Sequence, residues 1–242
     1  MSPWVIRVSS IFRVLRRGGH ALLNLAYPSL CEACGEERVS LEQRICYTCL
    51  KAMEPADSEE VEHLFNRWEW YQAQPELRGF SCWMFDKGGR LQRIHQRLKY
   101  GNQPQLGYVL GRWMAYKLRE KCPADACCIP IPLSRLRLYE RGYNQSAWLA
   151  RGMCAVGGWK LDIHSLYRTR HTRSQTSLSR EQRWENVSQA FAVRSQERVS
   201  GKPVVLVDDV LTTGATMMAA AQQLLRAGTS SVTMVTLGFA RF

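Results

Sequence analysis

The stretch 204–216, V-V-L-V-D-D-V-L-T-T-G-A-T, runs four apolar residues into two adjacent acids and ends on small hydroxyl residues around a glycine. Such an apolar run fits a strand buried on both faces, and open α/β sheets place ligand sites outside the carboxyl ends of such strands. Gly214 lets the backbone come close to a ligand, the free N–H groups of a following helix point outward, and Thr212, Thr213 and Thr216, with Ala215 among them, add hydroxyl donors. That is the chemistry of a phosphate cradle. Asp208 and Asp209 cannot hold the phosphate themselves, so they are assigned to sugar hydroxyls, a divalent cation, or both. The magnesium-binding strand of P-loop nucleotidases also ends in acids, but those enzymes need G-x-x-x-x-G-K-[ST] as well. No such run exists here; Gly201 and Lys202 lead straight into Pro203.

A second chemical constellation lies near the N-terminus. Cys31-x-x-Cys34 and Cys46-x-x-Cys49 supply four thiolates at the spacing a tetrahedral ion needs. With every position filled by sulfur no coordination site stays open, so the expectation is one structural Zn2+. Iron in the same cage, or a redox dithiol, is the competing chemistry. The other five cysteines, Cys82, Cys122, Cys127, Cys128 and Cys154, are scattered, which does not describe a disulfide framework.

The elements that must position these residues follow from periodicity. Leu106, Val109, Leu110, Trp113, Met114 and Leu118 fall on one face of a helix. Residues 127–133, C-C-I-P-I-P-L, read as a short buried strand, and Asn144 as the N-cap of a helix through Leu149 and Met153. Residues 203–207 form the strand before the acids; a helix through Met217, Ala221, Leu224 and Leu225 follows, closed by Gly228, and 232–237 is a further strand. Wholly apolar strands separated by helices imply a parallel sheet covered on both faces, a doubly wound α/β fold. Three zones result: 1–53, an N-terminal helix and a small four-cysteine zinc module; 54–79, an acidic, Trp-rich linker ending in some local order; and 80–242, the α/β domain.

Charge is divided unevenly among these zones. Residues 1–76 hold 8 Lys+Arg against 11 Asp+Glu, a balance of −3, and residues 77–242 hold 25 against 10, a balance of +15. Only six of those 25 cations are lysines, and arginine suits bidentate recognition of phosphate. A polyanionic ligand or nucleic acid is the natural partner. The helix expected over 1–30 carries Trp4, Val8, Ile11, Phe12 and Leu15 on one face with arginines around it, and either packs on its own protein or makes a peripheral membrane contact. No stretch of eighteen apolar residues exists, and Arg13, Arg16 and Arg17 interrupt any signal-peptide core, so a cytoplasmic protein is expected.

The 204–216 stretch closely resembles the phosphoribosyl-diphosphate signature of the type I phosphoribosyltransferases. Together with the cysteine module, L-K-Y at 98–100 and I-P-L-S-R-L-R-L-Y-E-R-G-Y-N-Q-S at 131–146, it resembles the ComF family over about residues 22–238. That resemblance implies a phosphoribosyltransferase-like fold, Mg2+ with the activated ribose, and a part in DNA uptake during natural transformation. It implies that Asp208 and Asp209 carry the ribose, that residues 212–216 hold the 5'-phosphate, and that the diphosphate lies beside Arg135, Arg137 and Arg141, with Arg135 and Arg141 taken as ligand donors. It also implies a hood loop closing over the diphosphate, for which 166–183, L-Y-R-T-R-H-T-R-S-Q-T-S-L-S-R-E-Q-R, has the right composition and place. Two readings stay open: an Mg2+-dependent transferase, or a non-catalytic protein that keeps the ribose-phosphate site and binds single-stranded DNA or DNA-import proteins. No acceptor pocket is recognisable in the sequence.

Overall fold

A computed structural model of the chain describes residues 29–37, 39–40, 42–85, 88–169 and 189–241. The helix expected over 1–30 and most of the basic segment 166–183 lie outside these residues. The chain divides into two compact units, Met1–Leu50 and Lys51–Phe242.

In the first unit, two turns present the cysteines. Cys31 N donates to Glu37 O (2.8 Å) and Gly35 N to Cys31 O (2.8 Å), closing one loop with Gly35 at a left-handed φ of 77°. The second pair opens helix α1 (Tyr47–Lys51), which buries Cys49.

The second unit begins where a linker is expected. Residues 54–79 instead form α2 (Ser58–Asn66) and α3 (Glu69–Gln72) and enter β1 (Leu77–Met84). Asp57 caps α2 by accepting from Glu59 N (2.8 Å), and Val61, Phe65 and Tyr71 are buried in the main core. The acids that suggest a tether face water, while three widely spaced apolar residues hold the segment down. Beyond β1 come α4 (Arg90–Tyr100), α5 (Pro104–Leu118), β2 (Cys127–Pro130), α6 (Arg135–Arg141), α7 (Gln145–Gly157) and β3 (Lys160–Leu161). A two-stranded antiparallel ribbon, β4 (Leu166–Arg168) and β5 (Phe191–Val193), and short α8 (Gln196–Val199) precede β6 (Pro203–Leu211), α9 (Ala215–Arg226) and β7 (Ser231–Phe239).

The main sheet has order β1-β7-β6-β2-β3, and its strands pair in parallel. From β2 the chain steps outward to β3, then returns to β6 and steps the other way to β7. The reversal therefore falls between β2 and β6, which is where such sheets open a crevice. Register sharpens this: β6 pairs with β7 as far as Leu211↔Phe239, but with β2 only as far as Pro130↔Val207. Asp208 and Asp209 lie just past that point. They sit within a strand that runs four residues beyond the expected 203–207, because β7 continues to supply partners such as Thr236 opposite Asp208.

One face of the sheet, with Val204, Leu206, Val232 and Met234, packs against Met217, Met218 and Leu224 of α9. α5 and α7 pack on each other and on the sheet. Their backbones touch: a Cβ at Gly111 would lie 2.0 Å from the Leu149 carbonyl oxygen, and one at Gly152 2.0 Å from that of Tyr108. That contact fixes where the N-terminus of α7 points, toward the two acids. The architecture is the doubly wound parallel sheet of the type I phosphoribosyltransferase kind. Among the described residues no helix is long and apolar enough to cross a membrane.

Candidate functional site

Although Asp208 and Asp209 are neighbours on β6, they receive different environments. Asp209 is 7 % exposed, and its Oδ2 meets His95 Nε2 at 3.1 Å, Gln145 Nε2 at 3.0 Å and Lys99 Nζ at 3.4 Å. Burial alone would raise its pKa, but Lys99 and then His95 outweigh burial and hold it well below the usual carboxylate range. Asp208 is half-buried. Its Oδ1 accepts from Ser146 Oγ (2.8 Å) and from Asp209 N (2.9 Å). Burial, and then the charge on Asp209, push Asp208 up to about 7. One acid is thus a fixed anion tied to α4 and α7, and the other titrates near neutrality at the mouth of the crevice.

Three of these partners come from motifs whose local role the sequence leaves unstated. Gln145 and Ser146 are the first residues of α7 in Y-N-Q-S, and Asn144 fixes them: its Oδ1 accepts from Ser146 N (3.0 Å) and Ala147 N (3.4 Å), while its Nδ2 donates to Ile131 O (2.9 Å). The cap expected at Asn144 is therefore present, and it ties α7 to the end of β2. Lys99 belongs to L-K-Y and projects from the last turn of α4, which Tyr143 OH holds by donating to Leu98 O. His95 is a further partner that sequence reasoning missed. It sits one turn before Lys99, edge-on to Phe85 at 5.1 Å, and the i, i+4 spacing of His95 and Lys99 was the available signal.

The loop after β6 turns at Gly214, whose φ of 80° makes it the left-handed N-cap of α9; Gly214 and Ala215 are buried, and Thr212, Thr213 and Thr216 half-buried. Trp68, at the start of α3, donates from Nε1 to Thr213 O (3.2 Å). A Cβ at Gly214 would meet Trp68 Nε1 at 3.4 Å and the Phe65 ring at 3.5 Å. The expected linker thus backs the cradle with two aromatic rings. A helix start with outward N–H groups and no capping side chain among the described residues is suited to an oxyanion.

On the side expected to face a diphosphate, Arg135 is exposed and is the first residue of α6. Arg141 is half-buried, lies 5.7 Å over the Tyr100 ring, and has a buried Nε with no hydrogen-bond partner among the described residues. Arg137 stands 3.9 Å from Glu140. From the segment expected as a hood, Leu166–Arg168 forms β4, and Arg168 lies 5.2 Å over the Phe191 ring, where burial lowers its pKa and Asp208 counters. α6 buries none of its residues, and Leu136, Leu138 and Tyr139 are 49 %, 46 % and 88 % exposed.

In the cysteine module the Sγ atoms of Cys31, Cys34, Cys46 and Cys49 all lie within 4.8 Å of one another. Cys31 Sγ accepts from Ala33 N (3.4 Å) and Cys46 N (3.3 Å), and Cys46 Sγ from Cys49 N (3.3 Å). The backbone N–H groups of Glu37 and then Glu36 lower Cys34 to about 7, whereas burial pushes the Cys46 thiol up. Four sulfurs gathered in this way fit a single metal ion.

Residues 160–240 match the family described as "Phosphoribosyl transferase domain". The "DNA utilization protein YhgH" of Escherichia coli O6:H1 is 33% identical over 144 residues, covering 57% of this chain and 62% of that protein. "Competence protein F" of Haemophilus influenzae is 32% identical over 147 residues, with the same coverage of 57% and 62%. "Competence protein ComFC" of Bacillus subtilis is 33% identical over 110 residues, covering 45% of this chain and 42% of that one. The chain thus spans about 62% of the length of the first two. Among solved structures, an allosteric regulatory enzyme of purine biosynthesis aligns at a TM-score of 0.39 with 19% identity, covering 58% of this chain and 29% of that one. A hypoxanthine phosphoribosyltransferase from Staphylococcus aureus aligns at 0.36 with 14% identity, covering 54% and 61%. The relatives and the matched domain bear out the ComF resemblance and the fold it implies.

Proposed function

We propose that the protein binds phosphoribosyl diphosphate with Mg2+ at the carboxyl end of β6 and acts, in the cytoplasm, in DNA uptake during natural transformation. The observation that carries the binding is the joining of Asp208 and the Gly214 cradle in one strand-loop-helix unit at the sheet's reversal point. Thr212–Thr216 hold the 5'-phosphate and Asp208 meets the ribose hydroxyls. Asp209 sets the field behind them; Mg2+ would arrive with the diphosphate, Asp208 would help hold it, and it would neutralise the diphosphate charge together with Arg135 and Arg141. The names of the relatives support the biological setting. Zn2+ is the ion that four thiolates favour at the cysteine module, where it is structural.

Calorimetry with phosphoribosyl diphosphate and Mg2+ tests the site. Heat of binding is expected for the native chain and is expected to vanish for Asp208→Ala combined with Asp209→Ala; binding that survives both substitutions refutes the assignment.

A second reading rests on a separate observation. Tyr139 and Tyr100 are 88 % and 74 % exposed, with Arg141 beside the latter, an arrangement on which unpaired bases stack. On this reading single-stranded DNA is the working ligand and the ribose-phosphate site is retained without turnover. A salt titration separates the two, because affinity for a single strand held this way falls steeply with salt.

A further inference from the structure

Two cysteines outside the metal module meet between β2 and α7. On β2, Cys127 belongs to the core face shared with Val204 and Leu206, so strand alternation turns Cys128 to the opposite face, where α7 packs. Cys128 is fully buried, paired in register with Val205 of β6 on one side and Leu161 of β3 on the other. Cys154 is half-buried in the last turn of α7, where its carbonyl accepts from Gly158 N (3.0 Å). Both thiols are free, and the Cys128 S–H donates to Cys154 Sγ. That hydrogen bond lowers the pKa of Cys154 and, together with burial, raises that of Cys128. One sulfur of the pair is therefore reachable from solvent, and the other is sealed in contact with it. Cys82 and Cys122 are buried thiols whose pKa values burial raises, which leaves them inert.

A half-buried thiol backed by a buried one is the arrangement of an attacking and a resolving cysteine. We propose that Cys154 and Cys128 are a redox pair, which a hydroperoxide converts to a disulfide tying the last turn of α7 to β2. The Cys154 sulfur, as thiolate, attacks the outer oxygen of the peroxide. An S–O bond forms, the O–O bond breaks, and the alcohol, or water where the oxidant is hydrogen peroxide, leaves with a proton. The Cys128 sulfur then attacks the Cys154 sulfur, the S–O bond breaks, and hydroxide departs as water with the Cys128 proton. The two sulfurs together lose two electrons and the peroxide gains them. A covalent bond brings the sulfurs closer than their hydrogen bond does. Because α7 is wedged against α5 at Gly111 and Gly152, drawing its last turn toward β2 tilts the helix on that contact. At its other end the same helix holds Gln145 against Asp209 and Ser146 against Asp208, so the tilt loosens both. The redox pair stands by itself; its effect on ligand binding rests on the phosphoribosyl reading above.

Treatment of the full chain with hydrogen peroxide, followed by blocking of free thiols and peptide mapping by mass spectrometry, tests the proposal. A peptide pair linked through Cys128 and Cys154 is expected after peroxide, absent before it and lost again with dithiothreitol. Cys128→Ala is expected to leave Cys154 as a sulfenic acid that dimedone captures. Cys154→Ser, at a half-buried position, keeps the fold intact if Cys128→Ala does not, and is expected to abolish both the link and the capture. By calorimetry, peroxide is expected to weaken phosphoribosyl-diphosphate binding severalfold in the native chain and to leave it unchanged in Cys154→Ser. No linked pair, or Cys128 linked to Cys127 or Cys122 instead, overturns the proposal, and undiminished affinity in the linked chain overturns its coupling to the site. Should the link form while the reduced chain fails to bind phosphoribosyl diphosphate, the redox pair stands and the phosphoribosyl reading falls.

Discussion

Adjacent carboxyls on β6 titrate in opposite directions because α4 and α7 deliver Lys99, His95 and Gln145 into contact with Asp209 and, among the described residues, the Ser146 hydroxyl to Asp208. Asp208, raised from 3.8 to about 7, takes up its proton more readily when folded, so its contribution to stability falls as pH rises from about 4 to about 7 and stays lost above. Asp209 is the reverse case. Its folded-state pKa is depressed, so the stability it adds is present above the unfolded value and is lost as pH falls. Asp208→Asn keeps an oxygen for Ser146 and Asp209 N, and is expected to stabilise the protein by about 2 kcal/mol more at pH 8 than at pH 5. Asp209→Asn strands Lys99 against a buried neutral amide and is expected to destabilise by about 3 kcal/mol at pH 8. Urea unfolding at the two pH values measures both, and a gain from Asp208→Asn that does not grow with pH would show that no buried charge is being relieved. The acids themselves were legible in the sequence as a pair. Their division of labour was not, since it depends on residues more than sixty positions away.

At the scale of elements, the site's accuracy depends on the seat of α7. Gly111 and Gly152 let α5 and α7 approach to backbone contact, and this sets how far Gln145 and Ser146 reach toward β6. Gly111→Ala forces a methyl into the Leu149 carbonyl and is expected to destabilise by about 2 kcal/mol. On the proposed function it should also weaken phosphoribosyl-diphosphate binding, because α7 must shift. The check is unfolding by urea alongside ligand titration, and an unchanged midpoint would mean that the two helices part without penalty. Periodicity located α5 and α7, but which glycines face a neighbour is settled only once both helices are placed. The same holds for α2 and α3. Their acids dominate the sequence of 54–79, whereas Phe65 and Trp68 show their role only against Gly214, almost 150 residues later.

For the whole molecule, two units with different sources of stability are joined in one chain. Lys51–Phe242 is held by a sheet with an apolar core on it, and the described part of Met1–Leu50 centres on four cysteines with few buried apolar side chains. A metal ion held by the four thiolates would then supply folding energy to the first unit alone. A strong chelator, or Cys31→Ser, is expected to unfold the cysteine module while the unfolding transition of the α/β unit keeps its midpoint. Near-ultraviolet circular dichroism together with metal analysis follows each part, and a chelator without effect on either would remove the structural ion from the account.

The sequence by itself determined the chemistry available: four thiolates in two knuckles, a pair of acids after an apolar strand, a hydroxyl and glycine loop, and enough alternation of strand and helix to require a parallel sheet. These are local properties, set by residue type and by spacing between near neighbours. Tertiary structure alone decided which acid is buried against Lys99, which strand stops short so that a crevice opens, and that an acidic segment packs behind the loop at Gly214 and walls a cavity beside it. Those outcomes depend on packing between segments far apart in the chain. Such packing arises from shape and register summed over many contacts, and no short pattern carries it.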